Sequence, residues 1–489
     1  MNILIKKYIP ENFFNKNKDI IGFMHGKKAF SSPQILQLDI INACNLNCIA
    51  CWCHSPYVGD YGLSPQEKKD ILPFDKIKET IELLKPKGLK EIQISGAGEP
   101  FLHPQILEII SLIKKNNIKL NIITNFTLMN EAIIQKLVNL EVDYITASIW
   151  AGTKETYAKL HPNQNPDIFI HIGEMLKLLF HLKQKKNRPQ LKIYNVISHL
   201  NCHELPQMLD YALKSQVDFL EFTVADIIPG KTDFLNLTTE DKKIISQGIE
   251  TLKERITYPD EPGTWQLEKL KNQKHKDEFK EFGRYMKNTI PENFHLNIKT
   301  KEMTCPKNIK STEVFCDEFN ECAFFFAFNP QNCQNCTEKQ KCPAGKGDKI
   351  KASFLSIIGF GSFSRRIANI NKSLGQESSI VDSIPCYTGW IYSKITANGN
   401  VIPCCKAHKL SVGNVFNNNF LKIWNAKKQQ LFRFKGKYTT KNDAYYTPIN
   451  CYKACDNLGM NLSVHEKIKS LSNSKKILLY LKQKLSFFS

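Results

Sequence analysis

QILQLDIINACNLNCIACWCHS, residues 34–55, places a strand-like run directly in front of a group of cysteines. The run QILQLDI (34–40) reads as a short strand, and Cys44, Cys48 and Cys51 then fall in a loop at its C-terminal end. Strand-like runs recur at EIQIS (91–95), KLNIITN (119–125), YITASIW (144–150), KIYNVIS (192–198) and DFLEFTV (218–224). Helical periodicity fills the gaps: Phe74, Ile77, Ile81 and Leu84 are spaced three or four apart, and Ile133, Ile134 and Leu137 repeat the pattern. Pro104 stands at the head of another candidate helix, where its missing N–H does no harm. Strands alternating with helices predict an α/β fold with a parallel sheet and right-handed crossovers. Six units instead of eight predict a curved, partly open (β/α)6 barrel. The site of such sheets lies at the C-terminal strand ends, which is where the cysteine loop sits.

At 489 residues the chain exceeds one ordinary core, so two or three domains are expected. A hydrophobic share of 42% and an aromatic share of 10% belong to a folded globular protein. The net charge of +20 comes almost entirely from lysines spread along the chain. That distribution favours a solvated basic surface over a nucleic-acid or anionic-membrane surface. The opening MNILIKKYIPENFFNKNKD lacks the apolar run of a signal peptide, and no stretch approaches the roughly 20 apolar residues of a membrane span. A cytoplasmic protein is expected, in which sixteen cysteines read as metal or cluster ligands before disulfides. A lone Cys202 reads as a small buried apolar residue.

Three closely spaced thiolates suit a four-iron cluster that keeps one iron open for an exchangeable ligand. Zinc could also take these thiolates, with Cys53 or His54 completing its shell. The spacing CxxxCxxC after the first strand of a βα array resembles the signature of the radical S-adenosylmethionine (radical SAM) superfamily. The resemblance continues through SGAGEP (95–100), TNFT (124–127), ASIWAGTKETY (147–157) and VISHLNCHEL (196–205), in the family's order over roughly residues 34–230. It implies that Gly98 and Glu99 contact the methionine amino group, that Ser148 lies near the ribose, and that Asn201 is a cofactor residue. It further implies reductive cleavage of S-adenosylmethionine to a 5′-deoxyadenosyl radical, which abstracts hydrogen from an organic substrate. The substrate could be a small molecule, a sugar or a peptide, and the outcome could be of oxidoreductase, epimerase or transferase type. A flavodoxin or ferredoxin is the implied electron donor. One departure stands out: the aromatic position before the third cysteine is Ala50, and Trp52 follows it, so no cofactor role is assigned to Trp52.

The segment CYTGWIYSKITANGNVIPCC (386–405) predicts a hairpin around the Asn398-Gly399 turn that brings Cys386 and Cys404 together. Cys451 and Cys455 would complete four thiolates, and the bare count suits a zinc ribbon as well as a cluster. With VGNVFNNNFLKIWN (412–425) and CYKAC (451–455), the order is similar to the SPASM or twitch extension of radical SAM enzymes. That resemblance implies one auxiliary four-iron cluster on Cys386, Cys404, Cys451 and Cys455. The choice between Cys404 and Cys405 stays open, and His408 reads as a surface residue. Cys305, Cys316, Cys322, Cys333, Cys336 and Cys342 fall outside this pattern. Their spacing favours an additional metal, against free thiols in a packed loop.

The expected organisation is an N-terminal extension (1–33), the core (34–230), a helical then cysteine-rich connection (231–385), the auxiliary domain (386–458) and a basic amphipathic tail (459–489). The auxiliary domain is expected to fold back toward the mouth of the barrel, with 239–385 walling the substrate cavity. The tail reads as a helix packed on the body, with peripheral membrane contact as the alternative. About 33 residues precede the first strand, too few for a leader-binding domain, which weighs against a peptide substrate unless a separate partner presents it. Two rival classes remain, a nucleic-acid-modifying or nucleic-acid-binding protein and a non-enzymatic zinc scaffold. No RNA-binding module is visible in the sequence. Anaerobically purified protein should be brown and contain iron; a colourless, zinc-only preparation would support the scaffold.

Overall fold

The computed structural model describes residues 17–183, 188–255, 384–441, 443–449 and 457–472, Cys451, Cys455, and five short strands and two single positions between 295 and 367. Six strands form in the expected places: β1 (Ile35–Leu38), β2 (Glu91–Ile94), β3 (Lys119–Thr124), β4 (Tyr144–Ser148), β5 (Gln190–Ile197) and β6 (Phe219–Val224). They pair in chain order, each parallel to the next. The crossovers carry α2 (Phe74–Leu84), α3 (Ile106–Lys115), α4 (Glu131–Asn139), α5 (Lys154–Leu160), α6 (Ile168–Lys183) and α7 (Leu205–Lys214). A helix α1 (Lys18–His25) precedes β1, and α8 (Thr239–Arg255) follows β6. The helix after Pro104 begins two residues later, at Ile106.

Alternation along the strands separates two faces. Leu38, Ile94, Ile122, Ile145 and Leu191 stand in register and, with Leu36, Ile92, Leu120 and Leu220 on the same face, are completely buried against the helices. Ile77, Ile81 and Leu84 of α2 and Ile134 and Leu137 of α4 supply the opposing layer. The other face of the sheet carries Gln37, Gln93, Asn121, Thr146, Lys192 and Glu221. Four of these polar groups pair across neighbouring strands. Thr146 bonds Asn121 at 3.3 Å, and Lys192 pairs with Glu221 at 2.6 Å. One side of the sheet is thus an aliphatic core and the other a polar inner wall.

The sheet extends beyond both ends of the six strands. A short β7 (Ser356–Ile358) pairs parallel with β6. At the opposite edge β8 (Tyr392–Ile395) lies parallel to β1, and the antiparallel β9 (Asn400–Ile402) and β10 (Gly413–Asn414) follow it. The hairpin between β8 and β9 turns at Gly399, whose φ of 79° is open to glycine and strained for other residues. β8 contributes to the inner wall. Lys394 pairs with Asp39 at 2.6 Å, both almost fully buried, while Gln37 donates to Asp39 at 3.0 Å and accepts from Tyr392 Oη. Burial pushes the Asp39 carboxyl up, and the Lys394 ammonium pulls it back.

Residues 18–31 do not form a separate extension. Lys28 and Ser31 carbonyls accept from the indoles of Trp390 (3.0 Å) and Trp424 (2.9 Å), and the Lys27 carbonyl accepts from Arg433 (3.1 Å). These partners lie on α9 (Thr388–Ile391), α10 (Phe420–Trp424) and α11 (Lys427–Tyr438). The start of the tail is α12 (Leu458–Ser470), where Asn461 accepts from the Tyr387 amide at 2.8 Å and His465 meets the Tyr387 hydroxyl at 2.8 Å. Cys305, Cys316, Cys322, Cys333, Cys336, Cys342 and the tail beyond 472 lie outside the described residues. No helix among the described residues is long and apolar enough to cross a membrane.

Removing one partner of a buried ion pair strands the other charge. Lys394→Met should therefore destabilise the chain by about 3–5 kcal/mol in urea unfolding. Asp39→Asn combined with Lys394→Met should cost less than Lys394→Met alone. Equal costs for the two would mean that the pair does not join the two parts of the sheet.

Candidate metal centre

The loop after β1 is anchored from outside itself. Ile49 N donates to the Leu160 carbonyl at 3.0 Å, and Asn163 and Gln164 side chains both donate to the Asn45 carbonyl at 2.9 Å. Asn47 and Asn163 exchange backbone-to-side-chain bonds of 3.1 and 3.2 Å. The segment following α5 therefore holds the loop between its first two cysteines. Two aromatic residues at neighbouring strand ends, Phe126 (φ 64°) and Trp150 (φ 66°), occupy the left-handed region that bulky residues avoid. Such strain gathers at functional sites.

Cys44, Cys48 and Cys51 share one pocket and repel one another as thiolates. Burial, followed by smaller effects from Glu99 and Cys51, pushes Cys44 up to about 12. Burial, then Cys51 and Cys44, raises Cys48 well above an ordinary thiol. Cys51 is lowered to about 7, first because the Cys53 thiol donates to it, with the Cys53 and His54 amides adding bonds of 3.4 Å each. Cys53 thus supports Cys51, its amide bonding the Cys51 sulfur, while Asp39 and Lys394 bear electrostatically on its own thiol. Its position two residues beyond Cys51 is the only hint of this role in the sequence.

Among the described residues, no group of three His, Cys, Asp or Glu side chains is placed to hold a metal ion. The fit to a cofactor therefore rests on donor chemistry. Three soft sulfur donors that disfavour one another's ionisation gain most from a cationic core that spreads the thiolates apart, as an iron–sulfur cluster does. The residues present fit such a cluster.

The loop after β2 lies against this pocket. A Cβ on Gly98 would come within 2.2 Å of the Ala43 carbonyl and 2.6 Å of the Ile41 carbonyl, so only glycine passes there. Glu99 is buried and its carboxylate is engaged. It accepts from Thr124 Oγ1 (2.7 Å), Asn125 N (2.7 Å) and Phe101 N (3.2 Å). Burial raises Glu99 to about 7 against these bonds. Ser148 closes β4, half-buried, on the inner face. Asn201 is fully buried: its amide donates to the Trp150 (2.7 Å) and Val196 (2.8 Å) carbonyls, and its oxygen accepts from Ser198 N at 2.7 Å. Cys202 is buried as expected, its thiol donating to Asp241 at 3.2 Å.

A second set of thiols gathers in the C-terminal region. Cys404 is raised first by the neighbouring Cys405 thiol, then by burial and by Cys455 and Cys451. Burial and then Cys386 push Cys451 up to about 12. Asn457 lies over both adjacent cysteines, its amide 3.3 Å from Cys405 Sγ and 3.6 Å from Cys404 Sγ. Cys404, Cys405, Cys451 and Cys455, and through Cys451 also Cys386, thus bear on one another electrostatically. The loop that carries Cys404 also reaches the first site. Trp52 donates to the Asp226 carbonyl at 2.9 Å, Lys406 pairs with the Asp226 carboxylate at 3.0 Å, and His408, though exposed, lies edge-on to Trp52 with ring centres 6.0 Å apart.

Residues 38–186 match the Radical SAM superfamily model, and residues 386–456 match the SPASM iron–sulfur cluster-binding domain. A tungsten-containing aldehyde ferredoxin oxidoreductase cofactor-modifying protein of Pyrococcus furiosus is 28% identical over 237 residues, 44% of this chain and 60% of that protein. The antilisterial bacteriocin subtilosin biosynthesis protein AlbA of Bacillus subtilis is 26% identical over 145 residues, 27% of this chain and 30% of its own. A probable GTP 3′,8-cyclase of Methanococcus maripaludis is 27% identical over 178 residues, 36% of this chain and 54% of its own. The chain thus spans less than two thirds of the curated relatives it matches. Among solved structures, Streptococcus suis SuiB bound to precursor peptide SuiA superposes with a TM-score of 0.50 at 13% identity, covering 86% of this chain and 70% of that one; this likeness supports the fold.

The raised Glu99 carboxyl has a definite sign in stability. Between its unfolded value near 4.5 and its folded value near 7 the folded chain holds the extra proton, so this group's contribution falls as pH rises through that window. Urea unfolding of the metal-free chain from pH 4.5 to 7.5 should show a steeper loss for wild type than for Glu99→Gln. Parallel curves would mean that Glu99 ionises in the fold as it does in water.

Proposed function

We propose that this chain, a radical SAM superfamily member with a SPASM iron–sulfur cluster-binding domain, is an enzyme that reductively cleaves S-adenosylmethionine and directs the resulting radical onto a polar organic substrate. The observation that carries this reading is the convergence of Cys44, Cys48 and Cys51 in one desolvated pocket at the C-terminal ends of parallel strands. When bound, a four-iron cluster with an open iron would supply the electron that cleaves the sulfonium, giving a 5′-deoxyadenosyl radical.

The chain's own residues position and protect. Gly98 gives the β2 loop the clearance to lie against the cysteine loop, and its backbone would face the methionine end of the cofactor. Glu99 spends its carboxylate on the β3 end, so in this reading it holds the loop in shape instead of gripping the amino group itself. Ser148 would lie near the ribose. Asn201 would act indirectly, by fixing the strand ends at Trp150 and Val196. Cys386, Cys404, Cys451 and Cys455 would hold one auxiliary four-iron cluster, with Cys405 beside it. The polar inner wall favours a polar substrate, small or peptidic, because an apolar one would desolvate these hydrogen-bonding groups and offer them none in return. A flavodoxin or ferredoxin would deliver electrons, and the cytoplasm would keep the thiols reduced.

With dithionite, reconstituted protein should form 5′-deoxyadenosine, and Cys48→Ala should abolish it. Equal turnover by the two proteins would overturn the proposal. A variant lacking Cys44, Cys48 and Cys51 should keep a four-iron cluster with its own paramagnetic signal; binding zinc alone would make the C-terminal site a ribbon.

A further inference from the structure

Tyr157 lies on α5 and is completely buried, yet its hydroxyl has no hydrogen-bond partner among the described residues. A buried hydroxyl left unpaired costs free energy, and such groups in folded proteins mark a missing ion, water or ligand. The ring cannot easily turn away. It stacks on His161 with ring centres 4.1 Å apart and packs on Phe169 at 5.4 Å. The Tyr157 carbonyl meets His161 Nδ1 at 2.9 Å, and Thr153, one turn back, and the adjacent Thr156 are held by buried Glu204 at 2.5 and 2.6 Å.

The surroundings of this hydroxyl point to one target. The stretch just beyond it, Leu160 to Gln164, is stitched to residues 45–49, the part of the loop between Cys44 and Cys48. Burial pushes the Tyr157 phenol above its ordinary range, and the ionisable groups that add to it are Cys48, then Cys44 and Glu99. Glu99 is already occupied by three donors, which leaves the cysteine sulfurs as the acceptors that bear on this hydroxyl.

We propose that the Tyr157 hydroxyl donates a hydrogen bond to a sulfur of the cluster held by Cys44, Cys48 and Cys51, and thereby sets its reduction potential. This rests on the reading that those three cysteines hold a cluster. Tyr157 is a tuning residue, not a catalytic one. A donor on sulfur stabilises the reduced, more negative cluster more than the oxidised one, so the bond raises the potential. Tyr157→Phe removes the oxygen alone and keeps the stacking surface.

The test compares wild type, Tyr157→Phe and Tyr211→Phe as anaerobically reconstituted full-length proteins. The triad's cluster is recognised as the reduced paramagnetic signal that changes when S-adenosylmethionine is added. Tyr211 serves as the control because its buried hydroxyl already donates to the Phe169 carbonyl at 2.9 Å. Tyr157→Phe should retain iron but shift this signal's midpoint negative, a roughly threefold fall in the reduction equilibrium, about 28 mV at 59 mV per tenfold. Tyr211→Phe should not move it. Wild type in deuterated buffer should also lose an exchangeable proton coupling that Tyr157→Phe lacks from the start. An unchanged midpoint and coupling in Tyr157→Phe would overturn the proposal. If wild type shows no signal responsive to S-adenosylmethionine, the cluster reading falls first and the proposal with it. Should Tyr157→Phe fail to hold iron, 3-fluorotyrosine at position 157 decides: a stronger donor must shift the midpoint positive, and no shift would refute the bond.

Discussion

Strand β1 is hydrogen-bonded on both edges, to β2 on one side and to β8 on the other, in matching register from Ile35 to Leu38. The other features of the site follow from that central position. A strand held from both sides cannot shift, so the loop leaving its C-terminal end starts from a fixed point. Its partner β8 belongs to the segment that carries the second group of thiols. The buried Lys394–Asp39 pair then fastens the same joint from the side-chain level. Two cysteine groups separated by more than 300 residues in the chain are in this way attached to adjacent strands of one sheet.

The two faces of that sheet have different work to do. Aliphatic residues in register seal one face against the helices, which gives the strands their rigidity. The opposite face is polar, and several of its groups are paired: Gln37 with Asp39 along its own segment and with Ser95 across from it, Lys192 with Glu221, Thr146 with Asn121. A polar wall of this kind discriminates by hydrogen bonding, since any molecule that enters must match groups already committed to partners. At its rim the loop of residues 404–408 meets Trp52 and Asp226, so the second thiol group borders the first through specific contacts and not merely through sharing a chain.

Much of this was legible in the residues. Strand periodicity located β1 to β6 within two residues of their observed ends, and apolar spacing picked out Ile77, Ile81, Leu84, Ile134 and Leu137 as buried. Other features were hidden because they depend on pairing between distant segments. No local pattern says that YSKI should lie beside ILQL, or that residues 18–31 should supply carbonyls to Trp390 and Trp424. Glu99 and Asn201 were read as cofactor residues; in the fold the Glu99 carboxylate accepts from Thr124, Asn125 and Phe101, and the Asn201 amide is bonded to Trp150, Val196 and Ser198. A polar residue on a loop gives the same signal in sequence whether it binds a ligand or braces its neighbours. Cys53 was weighed only as a further ligand, yet its backbone amide donates to Cys51 Sγ at 3.4 Å.

The sequence alone determined the chemistry available, because cysteine spacing after a strand fixes which sulfurs can share a loop, and periodicity of two or near 3.6 fixes which segments become strands or helices. Tertiary structure alone decided which groups face one another: that β8 completes the sheet beside β1, that Asn163 and Gln164 brace the loop of the triad, and that the Tyr157 hydroxyl is buried with no hydrogen-bond partner among the described residues. The reason is physical. Local propensity is set by neighbours three or four residues away, whereas hydrogen-bond satisfaction and charge burial are settled only when distant segments exclude water together.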